Sequence, residues 1–232
     1  ERGDWDAMAE ILVDSARSLE RAGAEGLIIA ANTMHAVAPQ VEDAVGIPLH
    51  HIAKAAAKRV EASRQHTVGL LATLTTTNGD FYTGPFVERC IEVILPEETE
   101  RPEVDRMIYD ELVHGIIKDG SRKRFREVMA GMRDRGAEAI VLAGTELGLL
   151  LEADDADVPL HDTTAILVED ALDLVAWEAA LHNGAPRADD AGADDDVLAH
   201  PLAQALRTEL LALCPVRPEQ VTAHVPLAAL GV

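Results

Sequence analysis

Two short polar turns in the sequence follow apolar segments and precede predicted helices. They are residues 31–33 and residues 144–146, with the sequences Ala-Asn-Thr and Gly-Thr-Glu. Backbone N–H groups at the start of a helix favour negative charge, so such turns suit a substrate carboxylate. Asn32, Thr33 and Thr145 add side-chain hydrogen-bond donors. The alternative is that these three residues are ordinary helix N-caps.

The two turns occupy equivalent places in an internal repeat. Residues 23–30 (GAEGLIIA) match residues 136–143 (GAEAIVLA), and residues 47–50 (IPLH) match residues 158–161 (VPLH). The two offsets are nearly equal, at 113 and 111 residues, which predicts two duplicated lobes. Strand ends in such lobes can face each other across a cleft, where α/β folds bind ligands. We therefore expect the two turns to line one cleft.

Short apolar runs alternate with amphipathic stretches through residue 182. The pattern predicts helices at 4–22, 102–118, 121–135, 163–182 and ahead of residue 63, and strands at 26–30, 47–50, 67–72, 91–95, 139–143 and 158–160. This alternation predicts parallel βαβ units and an α/β fold with helices on both faces of the sheets. The apolar run 26–30 predicts a strand buried on both faces. We assign residues 1–65 and 165–182 to lobe one and residues 66–164 to lobe two.

Charge and cysteine content narrow the partners and the compartment. Lys and Arg number 20 against 41 Asp and Glu, a net charge of −21, which repels nucleic acid and anionic membranes. The same field does not attract an acidic substrate, so local dipoles must hold one. No apolar run reaches the roughly 18 residues of a membrane span. Cys90 and Cys214 are isolated, which predicts no disulfide framework, no metal site and a cytoplasmic location.

Two motifs resemble the paired signatures of the aspartate/glutamate racemase family. They are residues 32–35 (NTMH) and residues 144–147 (GTEL); the family usually has Cys-Asn-Thr at the first and Gly-Cys-Thr-Glu at the second. The resemblance covers about residues 1–180, including residues 109–112 (YDEL) and 162–164 (DTT). It implies two pseudo-symmetric lobes, a small carboxylate or amino-acid substrate, no cofactor, and an assembly that can be a homodimer.

The chemistry that this resemblance implies is proton transfer at Cα. One thiolate removes the proton, and a thiol on the opposite face returns one. Ala31 and Gly144 occupy the two cysteine positions here, and neither side chain can hold a proton. Cys90 precedes a predicted strand and Cys214 lies far along the chain, so neither replaces them. The family also has a first strand and a Gly-Gly-Met-Ser-like loop upstream, and we expect these to be missing here.

The polar turns and the resemblance together define candidate substrate-binding residues. Thr73 and Thr76 follow a predicted strand and either bind a carboxylate or cap the next helix. His114 stands where the family often has a lysine, and is either a surface residue or a cation beside a substrate carboxylate. The full set is Asn32, Thr33, Thr73, Thr76, His114, Thr145 and Glu146.

Three residues are candidates for a different reaction, such as a decarboxylation, on the same fold. His35 is either a hydrogen-bonded structural residue or a base. His161 follows a strand and could reach the cleft as a base. Glu146 either caps its own helix or acts as a base.

The composition changes after residue 182. Residues 183–200 are rich in Ala and Asp, which predicts a disordered linker. Residues 201–232, ending in VPLAALGV, resemble the first helix and loop of an acyl or peptidyl carrier domain; the alternative is an arbitrary Ala/Leu-rich helix. The resemblance implies a polyketide or nonribosomal peptide synthase with a carrier domain on the same polypeptide. The sequence thus supports three hypotheses: a racemase domain of such a synthase, a catalytically silent carboxylate-binding domain, and a decarboxylase or isomerase variant.

Overall fold

The computed structural model describes residues 4–182, which alternate between helices and short parallel strands. The strands are β1 (Leu27–Ile28), β2 (Leu49–His50), β3 (Thr67–Ala72), β4 (Glu92–Ile94), β5 (Ala139–Ala143) and β6 (Leu160–Asp162). The α-helices are α1 (Trp5–Arg21), α2 (Ala38–Ala44), α3 (Ile52–Ala62), α4 (Leu74–Thr77), α5 (Asp80–Val87), α6 (Arg101–Asp110), α7 (Asp119–Asp134), α8 (Leu147–Leu150) and α9 (Thr163–His182). Three 3₁₀ helices are η1 (Thr33–Val37), η2 (Leu112–His114) and η3 (Ala153–Asp155).

The strands form two parallel sheets, which confirms the predicted α/β class. One sheet has the order β1-β2 and the other has the order β4-β3-β5-β6. In the larger sheet, Val141 of β5 is in register with Leu70 of β3 and His161 of β6. β3 and β5 have the predicted bounds, whereas the last strand lies at Leu160–Asp162, two residues later than predicted.

The core of the larger sheet lies against helices α6 and α7. Each residue of β5 is buried, and the α7 residues Phe125, Met129 and Met132 pack in the same cluster as Ile140. Gly69 of β3 fits this packing because a Cβ there would lie 2.6 Å from Ile140 Cδ1 and 3.0 Å from Met132 Sδ. The close approach of helix and sheet thus depends on the smallest residue.

Strand β1 is not buried on both faces, so that prediction is wrong. Ile28 of β1 is 37% exposed, whereas its counterpart in the repeat, Val141 of β5, is fully buried. The reason is the number of strands that flank each of the two. β5 lies between β3 and β6, but β1 pairs only with β2 among the described strands.

The predicted helix 102–118 is also shorter in the structure. Helix α6 ends at Asp110, and the carbonyl of Glu111 accepts from the N–H groups of His114 and Ile116 in a tight turn. Gly115 has a φ of 69°, which a residue with a Cβ rarely adopts. The buried Glu111 carboxylate accepts from Ser121 and pairs with Lys118. These bonds close the turn where the apolar pattern alone predicts a continuous helix.

The chain divides into two compact units, residues 1–163 and a second that begins at Thr164. The first unit contains both sheets and all of the candidate site residues. None of the helices within residues 4–182 is long and apolar enough to cross a membrane. The predicted linker at 183–200 and the carrier-like segment at 201–232 lie outside the described residues.

Candidate functional site

The first polar turn follows β1 and places Asn32 in the protein interior. Asn32 is only 4% exposed, and its Oδ1 accepts from the Tyr82 hydroxyl at 2.6 Å. The Thr163 hydroxyl lies 3.0 Å from the same oxygen. Asn32 stands at the N-cap position of η1 but makes no side-chain capping bond. The N-cap interpretation of Asn32 is therefore wrong, and its amide serves another purpose.

The other end of the Asn32 amide has no partner. Its Nδ2 is buried without a hydrogen bond. Leaving a buried donor unsatisfied costs about 1–3 kcal/mol, and such groups in native proteins call for an explanation, such as a ligand. An acceptor such as a carboxylate oxygen would satisfy this donor.

Next to Asn32, three threonine hydroxyls form a cluster that joins the two sheets. Thr33 Oγ1 lies 2.9 Å from Thr76 Oγ1 and 3.3 Å from Thr73 Oγ1, and these last two are 3.1 Å apart. We call Thr33, Thr73 and Thr76 the hydroxyl cluster. Thr73 also accepts from the Thr76 N–H as the N-cap of α4, so its capping role is confirmed. The sequence named all three residues, and the structure brings them together.

His35 supports the first turn from beneath. Its Nδ1 lies 2.8 Å from the Ala31 carbonyl oxygen, and its Nε2 accepts from the Ile52 N–H at 3.1 Å. A carbonyl only accepts, so Nδ1 holds the ring proton. Burial lowers the pKa of His35 and keeps the ring neutral. The structural interpretation of His35 is confirmed, since both ring nitrogens are occupied by backbone groups.

The second polar turn follows β5, and its Gly144 is buried. A Cβ built on Gly144 would lie 3.9 Å from Glu146 Oε2, so the Glu146 carboxylate borders the position that a side chain at residue 144 would occupy. Glu146 stands at the N-cap position of α8 but makes no side-chain capping bond. The capping interpretation of Glu146 is therefore wrong. Thr145, between these two residues, is half-buried.

Thr163 links Asn32 to the end of β5 through two hydrogen-bond contacts. Thr163 Oγ1 lies 3.0 Å from Asn32 Oδ1 and donates to the Leu142 carbonyl at 2.8 Å. Leu142 is two residues before Gly144 in the sequence. This contact supports the expectation that the turns at Ala31 and Gly144 share one cleft, which remains a prediction.

Two histidines lie apart from this network. His114 is exposed at the end of η2. His161 Nε2 contacts Gln65 Oε1 at 2.6 Å, and Gln65 precedes β3, so this ring lies toward the amino ends of the strands. Both polar turns follow the carboxyl ends. Burial, with a smaller effect of Arg59, lowers the pKa of His161 to about 4.

The sequence did not identify two residues that contact Asn32, Tyr82 and Thr163. Thr163 directly follows β6, and that position was the available signal. Tyr82 lies within α5, and no local pattern points to it.

A separate groove of about 340 Å³ lies between α7 and the η3 loop and contains none of the candidate residues. Its lining groups include Arg133, which pairs with Asp157.

The fold and the site together define a class of protein. It is an α/β protein with an internal repeat, whose candidate site is built from polar turns at the carboxyl ends of parallel strands. A family model described as Asp/Glu/Hydantoin racemase matches residues 1–171. The chain belongs to this family.

Individual relatives agree with this assignment. The broad specificity amino-acid racemase RacX of Bacillus subtilis (strain 168) is 21% identical over 172 residues, which is 73% of each protein. A Yersinia pestis crystal structure, provisionally named as an Asp/Glu racemase, is 43% identical with a TM-score of 0.67, over 72% of this chain and 73% of that one. An aspartate racemase homologue from Pyrococcus horikoshii OT3 is 34% identical with a TM-score of 0.65, over 74% of this chain and 75% of that one.

Proposed function

We propose that this chain binds a small amino acid or related carboxylate at the first polar turn, as an amino-acid racemase-type domain. The observation that supports this most directly is the buried, unpartnered Nδ2 of Asn32 beside the hydroxyl cluster. Nδ2 is a hydrogen-bond donor, and donors recognise a carboxylate. The protein's net charge of −21 makes such local donors necessary for holding an anion.

We further propose that the unmodified chain racemises such a ligand only at trace rates. Inversion at Cα needs a base on one face and an acid on the other. Ala31 offers a methyl group and Gly144 offers no side chain. Losing one acid–base group typically costs on the order of 10²–10⁴ in rate, and both are missing here. A silent carboxylate-binding domain is therefore part of this proposal.

A second candidate function rests on Glu146. Its carboxylate lies 3.9 Å from the position of a Cβ at residue 144 and makes no capping bond. A single base on one face supports Cα–H exchange with retention, or proton delivery after a decarboxylation, without inversion. Glu146→Gln abolishes such exchange if this candidate is correct.

The wider setting that we propose is a polyketide or nonribosomal peptide synthase. The support is the resemblance of residues 201–232 to the start of a carrier domain, after the Ala/Asp-rich segment 183–200. The flanking gene sequence tests this directly. A downstream Asp-Ser-Leu motif would support it, and its absence would remove it.

The binding proposal is tested by titrating D- and L-aspartate and D- and L-glutamate into the protein and following ligand line widths by NMR. Asn32→Asp is the matched variant, because its Oδ1 still accepts from Tyr82 while an oxygen replaces the unpartnered Nδ2. We expect binding by the wild type and at least tenfold weaker binding by Asn32→Asp, since a carboxylate repels a carboxylate. No binding of any of the four ligands by the wild type would reject the proposal.

A further inference from the structure

Tyr82 is a buried side chain whose hydroxyl contacts the candidate site. The residue lies in α5 and is fully buried. Its ring stacks on Phe86, with centroids 6.4 Å apart, and meets Phe81 edge-on at 6.2 Å. Its hydroxyl donates to Asn32 Oδ1 at 2.6 Å. The packed ring thus fixes where this hydroxyl points.

Tyr82 is the donor that Asn32 Oδ1 keeps at all times, because the other nearby hydroxyl has a second acceptor. The Thr163 hydroxyl lies within bonding distance of two acceptors, Asn32 Oδ1 and the Leu142 carbonyl. One hydroxyl has one proton, so Thr163 can serve only one of them at a time. Burial raises the pKa of Tyr82 by more than its hydrogen bond with Thr163 lowers it, nearby Asp162 also raises it, and the phenol therefore keeps its proton.

We propose that Tyr82 is a positioning residue that sets the orientation of the Asn32 amide and so makes the site select a carboxylate over a carboxamide. With Oδ1 held by Tyr82, the amide must present Nδ2, the end that lacks a partner. A donor in that place matches a carboxylate oxygen. The opposite orientation would present Oδ1, which matches an amide N–H₂. This inference rests on the proposed binding function.

The selectivity of the site therefore depends on a group that does not touch the ligand. Without the phenolic hydroxyl, Oδ1 loses its constant donor, and the two amide orientations come closer in free energy. A change that only loosened the site would weaken carboxylate and carboxamide ligands equally. Loss of amide orientation instead changes the ratio of the two affinities.

The test compares the wild type with Tyr82→Phe, which removes one buried oxygen and keeps the ring. The two probes are L-aspartate and its diamide, in which both carboxylates are carboxamides of the same shape. We expect the affinity ratio of aspartate to diamide to fall about fivefold to tenfold in Tyr82→Phe, in line with the loss of one hydrogen bond. Tyr109→Phe, the same change in half-buried Tyr109 of α6, is the control and should leave the ratio unchanged.

Each outcome decides between the inference and the function on which it rests. An equal loss for both probes, or an unchanged ratio in Tyr82→Phe, overturns the positioning role while binding stands. If the wild type binds neither probe, the proposed function fails, and the ¹⁵N signal of the Asn32 side chain in the ligand-free protein decides the inference. That signal should shift or broaden in Tyr82→Phe, and an unchanged signal overturns the role.

A further measurement covers the case in which Tyr82→Phe does not fold. The Tyr82 hydroxyl proton of the wild type, held in a 2.6 Å bond inside the core, should exchange slowly with water and give an observable ¹H signal. Asn32→Asp should keep this signal, because its Oδ1 remains an acceptor. Fast exchange in the wild type would overturn the inference.

Discussion

The Nδ1 atom of His35 lies 2.8 Å from the carbonyl oxygen of Ala31, the first residue of the first polar turn. The bond holds the backbone of the first polar turn against the start of α3, where His35 Nε2 accepts from Ile52. The turn is therefore fixed by contacts of His35 within the protein interior.

Acid should destabilise the fold through the buried pair His35 and His51. Their rings lie 4.5 Å apart. Burial, with repulsion from Lys54 and from His35 when that ring is also protonated, lowers the pKa of His51 from 6.5 to about 3. Below pH 6.5 the unfolded chain takes up protons that the folded protein does not. The free energy of unfolding therefore has its full value above pH 6.5. It decreases as the pH falls toward 3, by up to about 1.4 kcal/mol per pH unit for each histidine.

Urea unfolding at pH 7, 6 and 5 measures this effect. His51→Gln should flatten the decline in part, because it removes one of the three histidines, His35, His51 and His161, whose pKa burial lowers. His114→Gln, at an exposed histidine, should leave the decline unchanged. A wild-type unfolding free energy that is the same at pH 7 and pH 5 would contradict the assignment.

Gly69 should be intolerant of any side chain. A Cβ there would lie 2.6 Å from Ile140 Cδ1 and 3.0 Å from Met132 Sδ, so Gly69→Ala should cost about 1–3 kcal/mol by overpacking. Gly131→Ala in α7 is the control, since a Cβ there meets nothing within 4 Å. That variant should gain about 0.5–1 kcal/mol from helix propensity. Thermal denaturation of both variants checks the opposite signs.

The packing around Gly69 also shows what the sequence could predict. Buried strands β3 and β5 follow from apolar runs, and the polar turns follow from the repeat, because both signals are local. The exposure of Ile28 was missed because an apolar run does not reveal how many strands flank it. The end of α6 was missed because it depends on the Glu111 contacts with Ser121 and Lys118. Tyr82 was missed because it reaches Asn32 from 50 positions away.

Removal of one hydroxyl from the cluster should weaken ligand binding and stability together. Thr76 is fully buried, and its hydroxyl bonds with both Thr33 and Thr73. Thr76→Val keeps the shape and should cost about 0.5–1.5 kcal/mol of folding free energy, because Thr33 and Thr73 each lose one hydrogen bond. Thr75→Val, at the exposed neighbouring position, is the matched control. Urea unfolding and aspartate titration of both variants should separate them, and equal behaviour would argue against the cluster.

Introducing cysteine at both polar turns should give proton transfer at Cα. Ala31→Cys adds a thiol to a turn whose backbone His35 already fixes. Gly144→Cys requires a small shift of Leu147, because the new Cβ would lie 3.2 Å from Leu147 Cδ1. The double variant places one acid–base group at each turn, which is what inversion requires. Each single variant has a thiol at one turn and should support exchange with retention at most.

The measurement is loss of the Cα–H signal of aspartate and glutamate in deuterated water, followed by chiral separation of the product. We expect exchange with inversion in the double variant, at a rate at least about 10²-fold above the unmodified chain, which is the smaller contribution of one acid–base group. Ala31→Ser with Gly144→Ser is the control, since hydroxyls lack the low pKa of thiols. Robust racemisation by the unmodified chain would reject this view of the site, and its loss in Glu146→Gln would identify the group responsible.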